Sequence, residues 1–134
     1  LVSDGIGHAL EQELNWLSKS GVFEIKAEND LLKFEQSSPD KDLIILRLIQ
    51  EILNNIIKHA QATRIEIKSF MENDMLFIHI SENGIGFDYD EARKNNSGMG
   101  LNSIHKRMEM INGKLILNSA VGQGTSISLE IPYP

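Results

Sequence analysis

Glu51, Asn55, Lys58 and His59 share one narrow sector of a helix at about 100° per residue, while Ile52, Leu53, Ile56, Ile57 and Ala60 cover much of the rest. A helix apolar on both flanks is packed on both flanks. Its carboxylate, amide and ammonium therefore need partners, because a polar group left unpaired against a core costs kilocalories. A solvated edge with a cap-like bond would satisfy them equally well, and two glycine-rich loops further along the chain tip the balance toward a ligand.

The first loop, Glu82-Asn-Gly-Ile-Gly-Phe-Asp88, follows a strand. Gly84 and Gly86 allow positive φ and let backbone come close to a flat or anionic ligand, and Glu82 offers an acceptor to an exocyclic amine. Taken alone, two glycines after a strand also describe a plain turn. The second loop, Ser97-Gly98-Met99-Gly100-Leu101, opens a helix whose first amides and dipole suit a polyphosphate. No Gly-Lys-Ser/Thr follows it, so it is not a Walker loop, and it lacks the third glycine and βαβ setting of a dinucleotide fingerprint. A third element, Gly122-Gln-Gly-Thr125, is either a hairpin turn or a turn whose threonine hydroxyl joins a bond network with Glu82.

The elements that must carry these residues are legible from periodicity. Ser3 or Asp4 can cap a first helix with Ile6, Leu10, Leu14 and Leu17 at helical spacing, stopped near Gly21. Val22 to Ala27 and Leu31 to Gln36 alternate about Asn29-Asp30 and predict a hairpin. Ser38-Pro39 launches the long helix to about His59, with Ser38 as its cap. Arg64 to Phe70 and Met75 to Ser81 predict strands joined at Glu72-Asn-Asp, Gly100 to Asn112 a third helix stopped by Gly113, and Lys114 to Ala120 with Thr125 to Ile131 a last hairpin. Glu82 to Gly98 is polar and aperiodic and predicts a long loop, a kind that in compact domains is functional or disordered. The expected fold is α+β, a two-layer sandwich with three helices on one face of a mixed, mostly antiparallel sheet. Trp16 reads as core or as part of a surface patch, and Met108 and Met110 as packing.

At 134 residues the chain, 1–134, makes a single domain. With 13 basic and 19 acidic residues its net charge of -6 argues against nucleic acid or an anionic membrane as partner, yet leaves room for a phosphate ligand neutralised by amides and a metal ion. Cysteine is absent, so there is no disulfide framework or thiolate metal site. No run reaches membrane-spanning length, which predicts a cytoplasmic segment whose parent is membrane-anchored, if at all, through upstream sequence.

Glu51-x-x-x-Asn55-x-x-Lys58-His59-Ala60, then an acidic-x-Gly-x-Gly loop, then Gly98-x-Gly100-Leu101 with Arg107, then Gly122-x-Gly124-Thr125, resembles the catalytic ATP-binding domain of bacterial sensor histidine kinases. The resemblance covers nearly the whole chain. The Gln50 to Ala60 run is most similar to the subgroup typified by nitrate and lipid-fluidity sensors, and the wider superfamily of topoisomerases, chaperones and mismatch-repair ATPases shares this Bergerat-type fold. The resemblance implies ATP and Mg²⁺ as cofactors, with Asn55 as metal ligand through its amide oxygen and Lys58 meeting a phosphate as a point charge. It implies Glu51 orienting the metal's water shell or polarising the acceptor. It also implies nucleotide contacts from His59, Glu82, Gly84, Gly86, Gly98, Gly100, Leu101 and Thr125, with Phe87 to Ser97 as a lid over the phosphates. His59 can equally serve as a cation at the helix C-terminus, and Arg107 makes a salt bridge.

Glu82 departs from the pattern, which has Asp accepting from the adenine amine. One methylene longer, Glu82 must fold back or displace the base, which predicts weakened rather than abolished affinity. None of the four histidines is followed by an acidic residue, so the chain lacks the phosphoacceptor such kinases use. The implied partners are a dimerisation and phosphoacceptor domain outside this sequence and, indirectly, a response regulator. Two other readings stay open: an anti-sigma-factor-type serine kinase, and a pseudo-enzyme with a weakened pocket.

Overall fold

The computed structural model describes residues 5–33, 37–88, 91, 94 and 100–134. In chain order it comprises α1 (Ile6–Lys19), β1 (Glu24–Asn29), a 3-10 turn (Asp30–Lys33) and α2 (Pro39–Asn55), which continues as a π-helical turn (Ile56–Ala60). Then come β2 (Arg64–Glu72), β3 (Met75–Glu82), α3 (Leu101–Met110), β4 (Lys114–Ser119) and β5 (Thr125–Pro132). Among the described residues the three helices pack on a five-stranded sheet of order β1-β2-β3-β5-β4, the α+β sandwich expected. Only β1 and β2 run parallel; the other three pairings are antiparallel.

Alternation explains the sheet. Ile65, Ile67, Leu76, Ile78, Ile80, Leu129 and Ile131 point inward and are buried, meeting Ile45, Leu48, Ile49 and Ile52 from α2. Each such side chain contributes roughly 1.5–3 kcal/mol by leaving water. Asn73 and Asp74 both take positive φ, so β2 and β3 are joined by the tight hairpin that two such residues favour. Ser38 holds the N-cap position of α2 with Pro39 at its start, without a side-chain capping bond. Gly113 N–H closes α3 onto Met108 O at 2.8 Å.

The hairpin expected from Val22 to Gln36 is corrected. Instead of returning as a strand, the chain turns into the 3-10 segment after Asn29 and reaches the parallel strand β2 through α2. Asn29 is used as an anchor: its amide donates to Gly7 O at 2.9 Å and its Oδ1 accepts from Ser69 Oγ at 2.9 Å. Leu31 is buried and its backbone packs close to Gly7, and within the 3-10 turn it is the one buried side chain. Residues 34–36 of that proposed strand, and the Ser3 or Asp4 cap, lie outside the described residues. Trp16 and Met110 are exposed, which excludes them from the core, whereas Met108 is buried. No described helix is long and apolar enough to cross a membrane.

Candidate functional site

The C-terminal end of α2, the loop after β3, the start of α3 and the inner face of β4 and β5 enclose one cleft. Its walls are apolar, with Ile52, Ile56, Ile85, Phe87, Leu117 and Ile127, and its polar groups are few: Asn55, His59, Glu82 and Thr125. Its cavity volume is about 80 Å³, narrower than the several hundred Å³ usual for small-molecule sites. Three motifs distant in sequence thus meet, because the β3–β5 register sets Glu82 directly opposite Thr125 and α2 crosses above both.

Of the residues singled out in the sequence, Asn55, His59, Glu82, Gly86, Leu101 and Thr125 line the cleft. Lys58 is exposed and outside this lining. The reason is the π turn from Ile56, whose i→i+5 bonds advance less than the roughly 100° per residue of an α-helix. His59 therefore stays near the stripe, while Lys58 falls out of it. Glu51 also lies outside the lining; its Oε2 accepts from Arg107 Nη1 at 3.3 Å, the salt bridge expected of Arg107. Ser103 accepts a further bond from the same guanidinium nitrogen, and a Cβ on Gly100 would run into the Glu51 carboxylate. Gly100, at φ 69°, thus lets the start of α3 settle on α2. Gly98 lies outside the described residues, as does most of the lid.

The loop after β3 is tied down at both ends. Asn83 Oδ1 accepts from the Thr63 and Arg64 amides, each at 2.9 Å, and Ile85 N–H donates to Ala60 O at 2.7 Å. Gly122 N–H donates to Ile85 O at 2.6 Å. A Cβ at Gly84 would strike the Ala60 carbonyl and one at Gly86 the Ala120 carbonyl. The close approach these glycines permit is therefore first to the chain's own backbone, which is how the loop is held against the cleft.

Glu82 is only 8% exposed. It folds back on its own loop: Oε1 accepts from Gly84 N–H at 3.3 Å, while Oε2 is buried with no hydrogen-bond partner. Burial pushes its carboxyl above the ordinary glutamate range, with bonds from Gly84 N–H and from the Thr125 amide and hydroxyl pulling the other way. Because the folded state holds this proton more tightly than the unfolded chain, the stabilisation is complete below the ordinary glutamate range and lost as pH rises through the folded-state value. Glu82→Gln, which cannot ionise, is expected to lose less stability than the native chain between about pH 4 and pH 8. Urea unfolding across that interval checks this, and parallel stability curves would contradict it.

Residues 40–134 match the family described as histidine kinase-, DNA gyrase B-, and HSP90-like ATPase. The chain belongs to that family. Over 99 residues it is 31% identical to the signal transduction histidine-protein kinase/phosphatase DegS of Bacillus subtilis, covering 73% of this chain and 26% of that protein. Over 92 residues it is 33% identical to the sensor histidine kinase ComP of the same organism, covering 69% of this chain and 12% of that one. A sensor-like histidine kinase of Chloroflexus aurantiacus is 31% identical over 98% of this chain and 23% of its own length. The chain thus spans about a quarter or less of these relatives. The fold is that of the histidine kinase domain of a blue-light activated kinase from Erythrobacter litoralis, with a TM-score of 0.75 at 19% identity over 95% of this chain and 60% of that one. The domain is a histidine kinase-type ATPase domain.

The apolar wall had escaped the sequence reading, although Leu117 and Ile127 sit at inward positions of strands whose alternation was legible. Ser119 had escaped it too. Its hydroxyl accepts from Phe87 N–H at 2.9 Å and lies 2.8 Å from Thr125 Oγ1, a connection that only the β4–β5 register reveals.

Proposed function

We propose that this domain binds Mg-ATP in the cleft and transfers the γ-phosphoryl group to a histidine on a separate dimerisation and phosphoacceptor domain, within two-component signalling. The observation that carries the proposal is the convergence of Asn55, Glu82 and Thr125 on one apolar-walled cleft in a chain of this family.

A flat base suits the space between Ile56, Ile85, Leu117 and Ile127, with its exocyclic amine donating to the Glu82 carboxyl. The buried, partnerless Oε2 of Glu82 supports that role, since a ligand donor that drew the carboxyl from its folded-back position would relieve a desolvated acceptor. Asn55 supplies a hard amide oxygen at the cleft, and among the described residues no group of three acidic, histidine or cysteine side chains is placed to cage a metal. That donor set fits Mg²⁺, which is commonly held by one or two protein oxygens with phosphate oxygens and water. When bound, the cation neutralises charge developing on the phosphates. The first amides of α3, which begins at Leu101 on the cleft lining with Gly100 before it, have no intrahelical acceptors and suit a phosphate. His59 lines the cleft and is placed to meet the triphosphate, whereas Lys58, outside the lining, would reach a phosphate only by swinging its side chain toward the cleft. Glu51, held by Arg107, takes the role of orienting water or the acceptor imidazole.

The phosphoryl acceptor is taken to be a histidine of the kinase's own dimerisation domain, with a response regulator downstream and the segment at work in the cytoplasm. Labelled ATP with a supplied dimerising-helix fragment carrying the acceptor tests this. Acid-labile label on the fragment's histidine is expected; label on serine alone, or no label despite nucleotide binding, would overturn the histidine assignment.

A further inference from the structure

Arg107 Nη1 carries two protons, and both have partners. One goes to Glu51 Oε2 at 3.3 Å and the other to the hydroxyl of Ser103, one turn back along α3. The serine thus fixes the guanidinium, and the guanidinium meets a carboxylate from the neighbouring helix. On its other side that carboxylate lies against Gly100, where a Cβ would collide with Oε1. Both side chains of the ion pair are only 30% exposed, so the contact is partly shielded from water. Ile104 and Met108 of the same helix are buried and seat it in the core. Gly100 and Arg107 therefore meet one carboxylate at two points of α3, the first at its entry and the second about two turns along.

We infer that Arg107, braced by Ser103, is a positioning residue for phosphoryl transfer: it holds the Glu51 carboxylate where that group can orient water or an acceptor imidazole. This role rests on the kinase reading of the cleft and on the part proposed there for Glu51. A glutamate has three rotatable side-chain bonds, and nothing on α2 itself fixes them. Glu51 stands four residues, about 6 Å, before Asn55 on the same face of α2, so a triphosphate bound at Asn55 would repel its carboxylate toward solvent. A guanidinium already fixed in place opposes that repulsion and needs no rearrangement when transfer occurs. Arg107 lies outside the cleft lining, so its loss falls on the rate of transfer and not on nucleotide affinity.

The test sets initial rates of label transfer from magnesium-ATP to the dimerising-helix fragment beside calorimetric ATP affinity. Arg107→Ala is expected to lower the rate at saturating ATP roughly ten- to hundredfold, as for a misplaced reacting group, while ATP affinity changes by no more than about threefold. Retained affinity also shows that the variant folds. Arg107→Lys, which restores a cation without the planar fork, should recover part of the rate. Ser103→Ala, which only unbraces the guanidinium, should lose about two- to fivefold, the scale of one hydrogen bond. In a Glu51→Ala background Arg107→Ala should have no further effect on the rate. Equal loss of affinity and rate, or an undiminished effect without Glu51, would make Arg107 merely structural and overturn the inference. Native rates in Arg107→Ala would do the same while leaving the kinase reading standing. Failure of the native chain to transfer label would overturn both.

Discussion

Asn55→Ala is expected to reduce magnesium-dependent phosphoryl transfer by about two to three orders of magnitude, because a metal clamp on a transferring phosphoryl group is worth several kilocalories and each 1.4 kcal/mol is tenfold in rate. Asn55 is the last residue of α2 before the π turn, half-buried, on the cleft wall facing Glu82 and Thr125. It is the residue through which a hard cation would be held, and the aliphatic positions on either flank, Ile52 and Ile56, cannot substitute. The affinity for ATP without magnesium should change by less than about threefold, since the contacts proposed for the base lie elsewhere in the cleft. Initial rates of label transfer with and without magnesium check the expectation, and a variant with native rates would remove Asn55 from the metal role.

The second large effect concerns the frame that holds the cleft. Tyr133 is 2% exposed, and its hydroxyl donates to Oδ1 of Asp42, wholly buried in the first turns of α2, at 2.5 Å. Tyr133 N–H donates to Asp74 O at 2.9 Å, and Lys41 Nζ to Pro132 O at 2.7 Å. The end of β5 is thereby fastened to the start of the helix whose other end carries Asn55. Burial pushes both the Asp42 carboxyl and the Tyr133 phenol above their ordinary ranges, which keeps the proton on the phenol and makes the pair sensitive to loss of either member. Tyr133→Ala is expected to cost about 3–5 kcal/mol of unfolding free energy, combining a lost buried ring with a stranded carboxyl. Tyr133→Phe keeps the ring and should cost roughly 1–3 kcal/mol. Urea unfolding measures both, and a loss below about 1 kcal/mol for the alanine variant would show that the latch contributes little.

Much of this architecture could be read before any coordinates. Ile65, Ile67, Ile78 and Ile80 alternate as a strand half-buried on one face must, and Ile45, Leu48, Ile49 and Ile52 recur as a helix pressed on that face must. The cleft's polar members were legible for another reason. The motifs that carry Asn55, Glu82 and Thr125 occur in a characteristic order along the chain. What could not be read depended on long-range register or on local departures from ideal geometry. Leu31 to Gln36 alternates like a strand, but Asn29 is claimed by Gly7 and Ser69, contacts made across the fold. Lys58 leaves the stripe because α2 changes its bonding pattern after Asn55, and no periodicity in Ile56 to Ala60 announces a π turn. Ser119 is an ordinary strand serine until β4 pairs with β5 and sets it opposite Thr125.

The folded-back Glu82 joins these threads. The extra methylene, anticipated as a misfit, is absorbed by curling the carboxyl onto Gly84, and the consequence is a desolvated acid beside the cleft instead of one reaching across it. Whether that acid serves a nucleotide base decides the whole account. Calorimetric titration of ATP and, separately, GTP into the chain with magnesium asks this directly, because guanine presents a carbonyl oxygen where adenine presents its exocyclic amine. A single saturable site for ATP is expected, with GTP at least about tenfold weaker, as when an acceptor is left facing another acceptor. No saturable heat with ATP, or equal affinity for the two nucleotides, would contradict it.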